Sequence, residues 1–145
     1  MIRKSVAVWH GDGAHGTGGL TMQSGVFKDQ PYSAKTRFQS EDGKAGTNPE
    51  ELLGAAHAGC FSMALAFALS GAGHLPTEIK VTAGVDLQPV EGGFAIKNIA
   101  LELEAKVPGI DDATFQKIAQ EAKNGCPLSK ALAATPISLS AKLLQ

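Results

Sequence analysis

Two cysteines, Cys60 and Cys126, are the most nucleophilic side chains in the 145-residue sequence. A thiol does redox chemistry as its thiolate, so its surroundings decide its use. Cys60 lies in an uncharged stretch from Leu52 to Leu75, about eleven residues into a predicted helix. The helix dipole fades beyond the first turn, and local physics reads Cys60 as a packing residue. Cys126 directly precedes Pro127, which opens a short predicted helix. There its sulfur faces free backbone N–H groups, so local physics ranks it the more acidic thiol. The two are too far apart for a C-x-x-C motif and can meet only through folding.

His57 and Cys60 form H-x-x-C on one helix face, the spacing of a Cys-His dyad or of half a metal site. A zinc centre needs three or four ligands, and beyond His57, Cys60 and Cys126 no paired motif supplies them. A buried histidine bonded to a backbone carbonyl is the plainer reading of His57. His10 and His15 fall in or beside a glycine-rich loop and are expected to be solvated. Gly11-Asp12-Gly13 and Gly16-Thr17-Gly18-Gly19 resemble phosphate loops in composition only, since neither leads into a helix with the needed lysine.

Glu50 and Glu51 are separated by helix geometry. At about 100° per residue, Glu50 lies about 80° around the helix from Cys60 and Glu51 about 180° away. Glu51 belongs to a capping box with Asn48. Glu50 is about 15 Å along the axis from Cys60, too far for one arginine to join them on a single straight helix. If Glu50 and Cys60 share a site, two chains build it.

The elements that position these residues follow from periodicity and turn chemistry. Val6 and Val8 mark a strand, Gly11 to Gly19 a loop, and Leu20 to Phe27 a second strand. Tyr32, Ala34, Thr36 and Phe38 alternate with Ser33, Lys35, Arg37 and Gln39, which predicts a third strand with Arg37 on its polar face. Asn48 as N-cap, Pro49 at the first helical position and Glu51 three residues past the cap predict a helix running to about Leu69. Its uncharged length would permit a membrane span. His57, Ser62, Ser70 and His74 interrupt it and basic flanks are missing, so it reads instead as a helix buried on nearly all sides. Such a helix needs more cover than one small sheet gives, and this points to a dimer.

A long hairpin follows, Ile79 to Leu87 turning at Glu91-Gly92-Gly93 and returning through Phe94. Its apolar parity changes after Ile96, which predicts a bulge near Lys97-Asn98. Phe115, Ile118, Ala119 and Ala122 share one face of a helix ending before Gly125, Cys126 caps a short helix from Pro127, and Ile137 to Leu143 form a last strand. The fold class is α+β, β(3)-α-β(2)-α(2)-β, without βαβ alternation, and residues 1–145 make one domain.

Charged residues are 19% of the chain and the net charge is -1, which excludes a disordered chain and argues against a nucleic-acid or anionic-membrane surface. The basic start Met1-Ile2-Arg3-Lys4 precedes an apolar run, Val6 to Trp9, far shorter than an export signal needs. A cytoplasmic location is expected.

Gly46 to Ala66 (GTNPEELLGAAHAGCFSMALA), the TRF around Arg37, VPGI at Val107 to Ile110 and NGCPLS at Asn124 to Ser129 resemble the OsmC subfamily, osmotically inducible protein C, of the OsmC/Ohr thiol peroxidases. The likeness covers essentially the whole chain. It implies an intertwined homodimer with buried central helices, Cys60 as peroxidatic cysteine, Cys126 as resolving cysteine, and Arg37 with Glu50 as the activating pair. That reverses the ranking that local physics gives the two thiols. It further implies organic hydroperoxides as substrate, a dithiol or lipoyl group as reductant, and neither metal nor organic cofactor. An apolar pocket lined by Phe61, Met63 and residues around Pro127 would suit such a substrate. Two other classes remain open: a metal-binding regulator using His57, Cys60 and Cys126, and a non-catalytic dimeric stress protein whose cysteines merely pack.

Overall fold

The computed structural model describes residues 1–145, which fall into two compact units, Met1–Leu52 and Leu53–Gln145. In the first, β1 (Ser5–His10), β2 (Thr17–Met22) and β3 (Gln30–Ser33) form an antiparallel sheet in the order β1-β2-β3. The second strand starts inside the glycine-rich stretch and stops short of Phe27, earlier at both ends than expected. Its glycines serve close packing: a Cβ on Gly18 would lie 2.6 Å from the Tyr32 ring and 2.9 Å from Trp9. Those two rings meet with centroids 5.4 Å apart.

The third strand ends at Ser33, and Ala34–Phe38 form a short helix, α1, where alternation predicted further strand. The cause is local. Ser33 Oγ accepts a hydrogen bond from the Thr36 N–H and Thr36 Oγ1 accepts one from the Ser33 N–H, a reciprocal cap that closes a helical turn. Arg37 thus sits in the last turn of a helix and not on the polar face of a strand.

Helix α2 (Pro49–Gly71) begins as expected, with Asn48 Oδ1 accepting from the Glu51 N–H at 2.8 Å, and continues past Leu69. It runs unbroken through Gly54 and Gly59. Within the second unit its buried residues are Gly54, His57, Phe61, Leu65 and Leu69, a stripe spaced at three and four residues. Met63 is 63% and Phe67 75% exposed, so in the single chain the helix is buried along one face and not on nearly all sides. The length and apolarity of α2 would suit a bilayer, but this stripe is part of a packed core. At Gly54 the approach to the sheet is tight: a Cβ there would lie 3.1 Å from the Ala83 carbonyl oxygen.

The sheet of this unit runs β4-β5-β6, from β4 (Glu78–Val90), β5 (Gly93–Lys106) and β6 (Ile137–Leu144). Asp86 pairs with Asn98 and Leu87 with Ile96, leaving Lys97 as the extra residue of the expected bulge. Past it, Ile99, Leu101, Leu103 and Ala105 all turn into the core. Strand β6 lies parallel to β5, so α3 (Asp112–Gly125) and α4 (Pro127–Ala131) form a crossover between parallel strands. A βαβ unit therefore closes the chain where none was expected. Asp111 caps α3, whose buried face is Phe115, Ile118, Ala119 and Ala122.

Candidate functional site

The second unit brings the two cysteines together. Cys60 projects from the middle of α2, and Cys126 stands between α3 and α4, closing one helix and opening the next. Its N–H donates to the Ala122 carbonyl at 2.9 Å, and its carbonyl accepts from the Lys130 N–H at 3.0 Å. Two helices thus hold its backbone, and the sulfurs of Cys60 and Cys126 lie 3.1 Å apart as a hydrogen-bonded pair of free thiols. Cys126 is fully buried and Cys60 half-buried.

One proton shared between two close sulfurs ties their ionisation together. Burial pushes the Cys60 thiol up, and the hydrogen bond it shares with Cys126 and the charge of Cys126 push it further, against the opposing Leu128 N–H. Burial also pushes the Cys126 thiol up, yet the Ser129 N–H, the Cys60 thiol, the Ser129 hydroxyl and the Leu128 N–H outweigh it and lower its pKa. The Cys126 side chain makes no regular cap hydrogen bond to α4, so these groups act on it by proximity and charge. The surroundings within one chain therefore favour the thiolate on Cys126, as the sequence position of the two thiols suggested.

His57, one turn before Cys60 on α2, is fully buried, and its Nε2 lies 2.8 Å from Ser129 Oγ on α4. It is bonded to a hydroxyl and not to the backbone carbonyl expected for it. Its Nδ1 has no partner. Burial lowers its pKa, so the ring is held neutral. No three His, Cys, Asp or Glu side chains gather as a metal centre requires.

The first unit brings the other pair together. Arg37 Nε donates to Glu50 Oε2 at 3.1 Å and an Arg37 Nη to Glu50 Oε1 at 2.6 Å, a two-pronged pair that fixes the plane of the guanidinium. Glu50 is the more buried partner, 12% exposed against 34% for Arg37. The guanidinium carbon also lies 4.9 Å from the centre of the Phe38 ring. Trp9, Tyr32, Phe38 and Pro49 join Arg37 around a cavity of about 260 Å³.

The family model for OsmC-like proteins matches residues 41–141. The chain belongs to the OsmC-like protein family. It is 54% identical over 132 residues to peroxiredoxin OsmC of Escherichia coli (strain K12), covering 91% of this chain and 90% of that protein. It is 37% identical over 122 residues to the organic hydroperoxide resistance protein of Xanthomonas axonopodis pv. citri (strain 306), covering 81% and 83% of the two. Among solved structures, the organic hydroperoxide resistance protein OhrB of Bacillus subtilis aligns with TM-score 0.67 at 26% identity, over 97% of this chain and 98% of that one.

Of the four residues expected in an OsmC-like site, Cys60 meets Cys126 and Arg37 meets Glu50, each pair inside its own unit. Of the residues expected to line a pocket, Phe61 is fully buried in the core and Met63 is exposed in the single chain. His15 is exposed and lies 3.3 Å from Asp12. Ser129 was not singled out by sequence reasoning, although its place was visible in NGCPLS. A serine three residues after a helix cap faces back toward the cap residue, here a cysteine.

Proposed function

We propose that this protein is a cysteine-based peroxidase that reduces organic hydroperoxides to alcohols, with residues 1–145 working as one OsmC/Ohr-like domain in an intertwined, cytoplasmic homodimer. The observation that carries the reading is the 3.1 Å approach of two free thiols that are 66 positions apart in the chain. Free thiols so placed suit a sulfenic acid on one and rapid capture by the other. The names of the relatives, peroxiredoxin and organic hydroperoxide resistance protein, support the same activity.

Cys60 is the peroxidatic residue in this reading. Its thiolate attacks the hydroperoxide, the O–O bond breaks, and the alkoxide leaves as alcohol after taking a proton. Cys126 then displaces the oxygen of the sulfenic acid as water and forms a disulfide with Cys60. A dithiol or lipoyl group reduces that bond and restores both thiols. Within one chain the surroundings favour the Cys126 thiolate, so Cys60 needs a cation from elsewhere. Arg37 supplies it, holding the thiolate and polarising the leaving oxygen, while Glu50 keeps the guanidinium in place.

Glu50 and Cys60 stand ten positions apart on the unbroken helix α2, about 15 Å along its axis. Arg37, anchored to Glu50, therefore serves the Cys60 of the other subunit. Dimerisation also gives cover to Met63 and Phe67, the large apolar side chains that α2 leaves exposed. A coupled assay of wild type and Cys60→Ser with tert-butyl, cumene and hydrogen peroxides tests the reading. Turnover of organic peroxides by the wild type alone is expected, and equal turnover by the variant would overturn it.

A further inference from the structure

The glycine-rich stretch Gly11 to Gly19, which leads into no phosphate site, shapes one wall of the cavity beside Arg37. Trp9, Gly18 and Tyr32 stand opposite one another across β1, β2 and β3 as a single cross-strand row. With no side chain on Gly18, the two rings meet over it, their centroids 5.4 Å apart and their planes tilted by 54°. The indole is also held at its edge. Trp9 Nε1 donates to the Asp12 carbonyl at 3.2 Å, and a Cβ on Gly16 would lie 2.7 Å from that nitrogen. The same cavity is lined by Ala34 and Phe38 of α1, by Pro49 at the start of α2, and by Arg37. Glu50 engages two of the five guanidinium N–H groups, so three remain for an oxygen. Trp9 is 37% and Phe38 47% exposed, so these rings are not sealed in a core.

We propose that this cavity is the subsite for the organic group of the hydroperoxide, and that Trp9, Tyr32 and Phe38 are specificity-determining residues favouring an aryl or branched alkyl group. The inference rests on the peroxidase reading and names the part of the protein that selects the substrate. In that reading the Arg37 guanidinium holds the leaving oxygen, and the organic group is bonded to that same oxygen. Arg37 lines the cavity, so a group held there has the three rings beside it. The size fits. An apolar cavity of about 150 Å³ binds benzene, and about 260 Å³ leaves room for a phenyl ring together with a branched carbon. The chemistry fits as well, because aromatic walls receive the edge or face of an aryl group, while the charge is tied to one side by Glu50. Hydrogen peroxide has nothing to place in such a cavity. Discrimination between the two kinds of peroxide is then set in the first unit, by residues that carry no thiol.

Trp9 is the only tryptophan of the chain, so its fluorescence reports on the cavity without any turnover. 2-Phenyl-2-propanol, the alcohol left by cumene hydroperoxide, should change that fluorescence saturably in the wild type and in Cys60→Ser alike. tert-Butanol should need a concentration roughly tenfold higher or more, the worth of burying a phenyl ring. Ala34→Leu fills the cavity from α1 with a residue that suits a helix. It should weaken binding of the aryl alcohol roughly tenfold and lower the ratio of kcat/KM for cumene hydroperoxide over hydrogen peroxide by a similar factor. The ratio is read within one protein, so a smaller folded fraction or a slower thiol does not move it. Tyr32→Leu, which removes one ring, should shift preference from cumene toward tert-butyl hydroperoxide. No saturable change of Trp9 fluorescence in the wild type would overturn the subsite. So would an unchanged ratio in Ala34→Leu, since the rings would then only cover Gly18. Saturable binding of the alcohol without turnover of any peroxide would remove the peroxidase reading and with it the substrate assignment, a result distinct from either.

Discussion

The sulfurs of Cys60 and Cys126 stand 3.1 Å apart, about 1 Å beyond the length of a disulfide bond. Little movement is needed to join them. Mild peroxide should therefore produce a Cys60–Cys126 disulfide within one chain, seen by peptide mapping under non-reducing conditions. Cys60→Ser should abolish turnover. Cys126→Ser should permit the first oxidation and then stall at sulfenic or sulfinic acid. Bridges found only between chains, or a sulfenic acid on Cys126 in the wild type, would refute the assignment.

What the sequence made legible was mostly what is decided within a few residues. The Asn48 cap fixed the start of α2, and the parity change after Ile96 located the Lys97 bulge. Ala34–Phe38 alternates like a strand, but the reciprocal Ser33–Thr36 cap overrides that pattern and closes a helical turn. The parallel placement of β6 beside β5 was hidden, since strand direction leaves no local mark. The site divides the same way. The roles of Cys60, Cys126, Arg37 and Glu50 came from a resemblance, and local physics alone would have left Cys60 as a packing residue and Cys126 as the more acidic thiol. Ser129 depends on a contact between residues 72 positions apart, and no local pattern announces its bond to His57.

Substrate preference follows from the surroundings of Cys60. From Leu52 to Leu75 no charged residue is present, so in the proposed reaction the Cys60 sulfur sits on an apolar helix that favours an apolar leaving group. Cumene and tert-butyl hydroperoxide should be turned over faster than hydrogen peroxide, by roughly tenfold or more in kcat/KM, the worth of a small buried alkyl group. Equal or better use of hydrogen peroxide would contradict this.

The buried, neutral His57 makes folding sensitive to acid. Its folded pKa lies below the ordinary value of 6.5 because burial penalises the imidazolium. The unfolded chain therefore binds more protons than the folded one in that range. Stability is fully present above the unfolded pKa and is lost as pH falls toward the folded pKa. The lowered pKa values of Asp12 and Asp111 act only below the ordinary carboxylate value of 3.8. Thermal melts should show a fall in Tm between about pH 7 and pH 5 that is smaller in His57→Gln. Parallel curves for the two proteins would show that His57 carries no such linkage.

Helix geometry makes a prediction about which subunit serves which thiol. Glu50 and Cys60 project from one unbroken helix about 15 Å apart along its axis, and Glu50 holds Arg37 by two hydrogen bonds. Arg37 should then activate the Cys60 across the dimer. Cys60→Ser and Arg37→Ala are each expected to be inactive, or at least tenfold impaired for the arginine variant, which loses a charge-assisted contact to the thiolate. Refolding the two together in equal amounts gives hybrids as about half of all dimers, since subunits pair at random. In a shared arrangement each hybrid contains one site with both residues intact, so activity should return to about a quarter of wild type. In an arrangement confined to one chain, no site in a hybrid is whole. Hybrid dimers verified by native mass spectrometry that recover no activity would rule out the shared site. They would require Arg37 to reach the Cys60 of its own chain by another path.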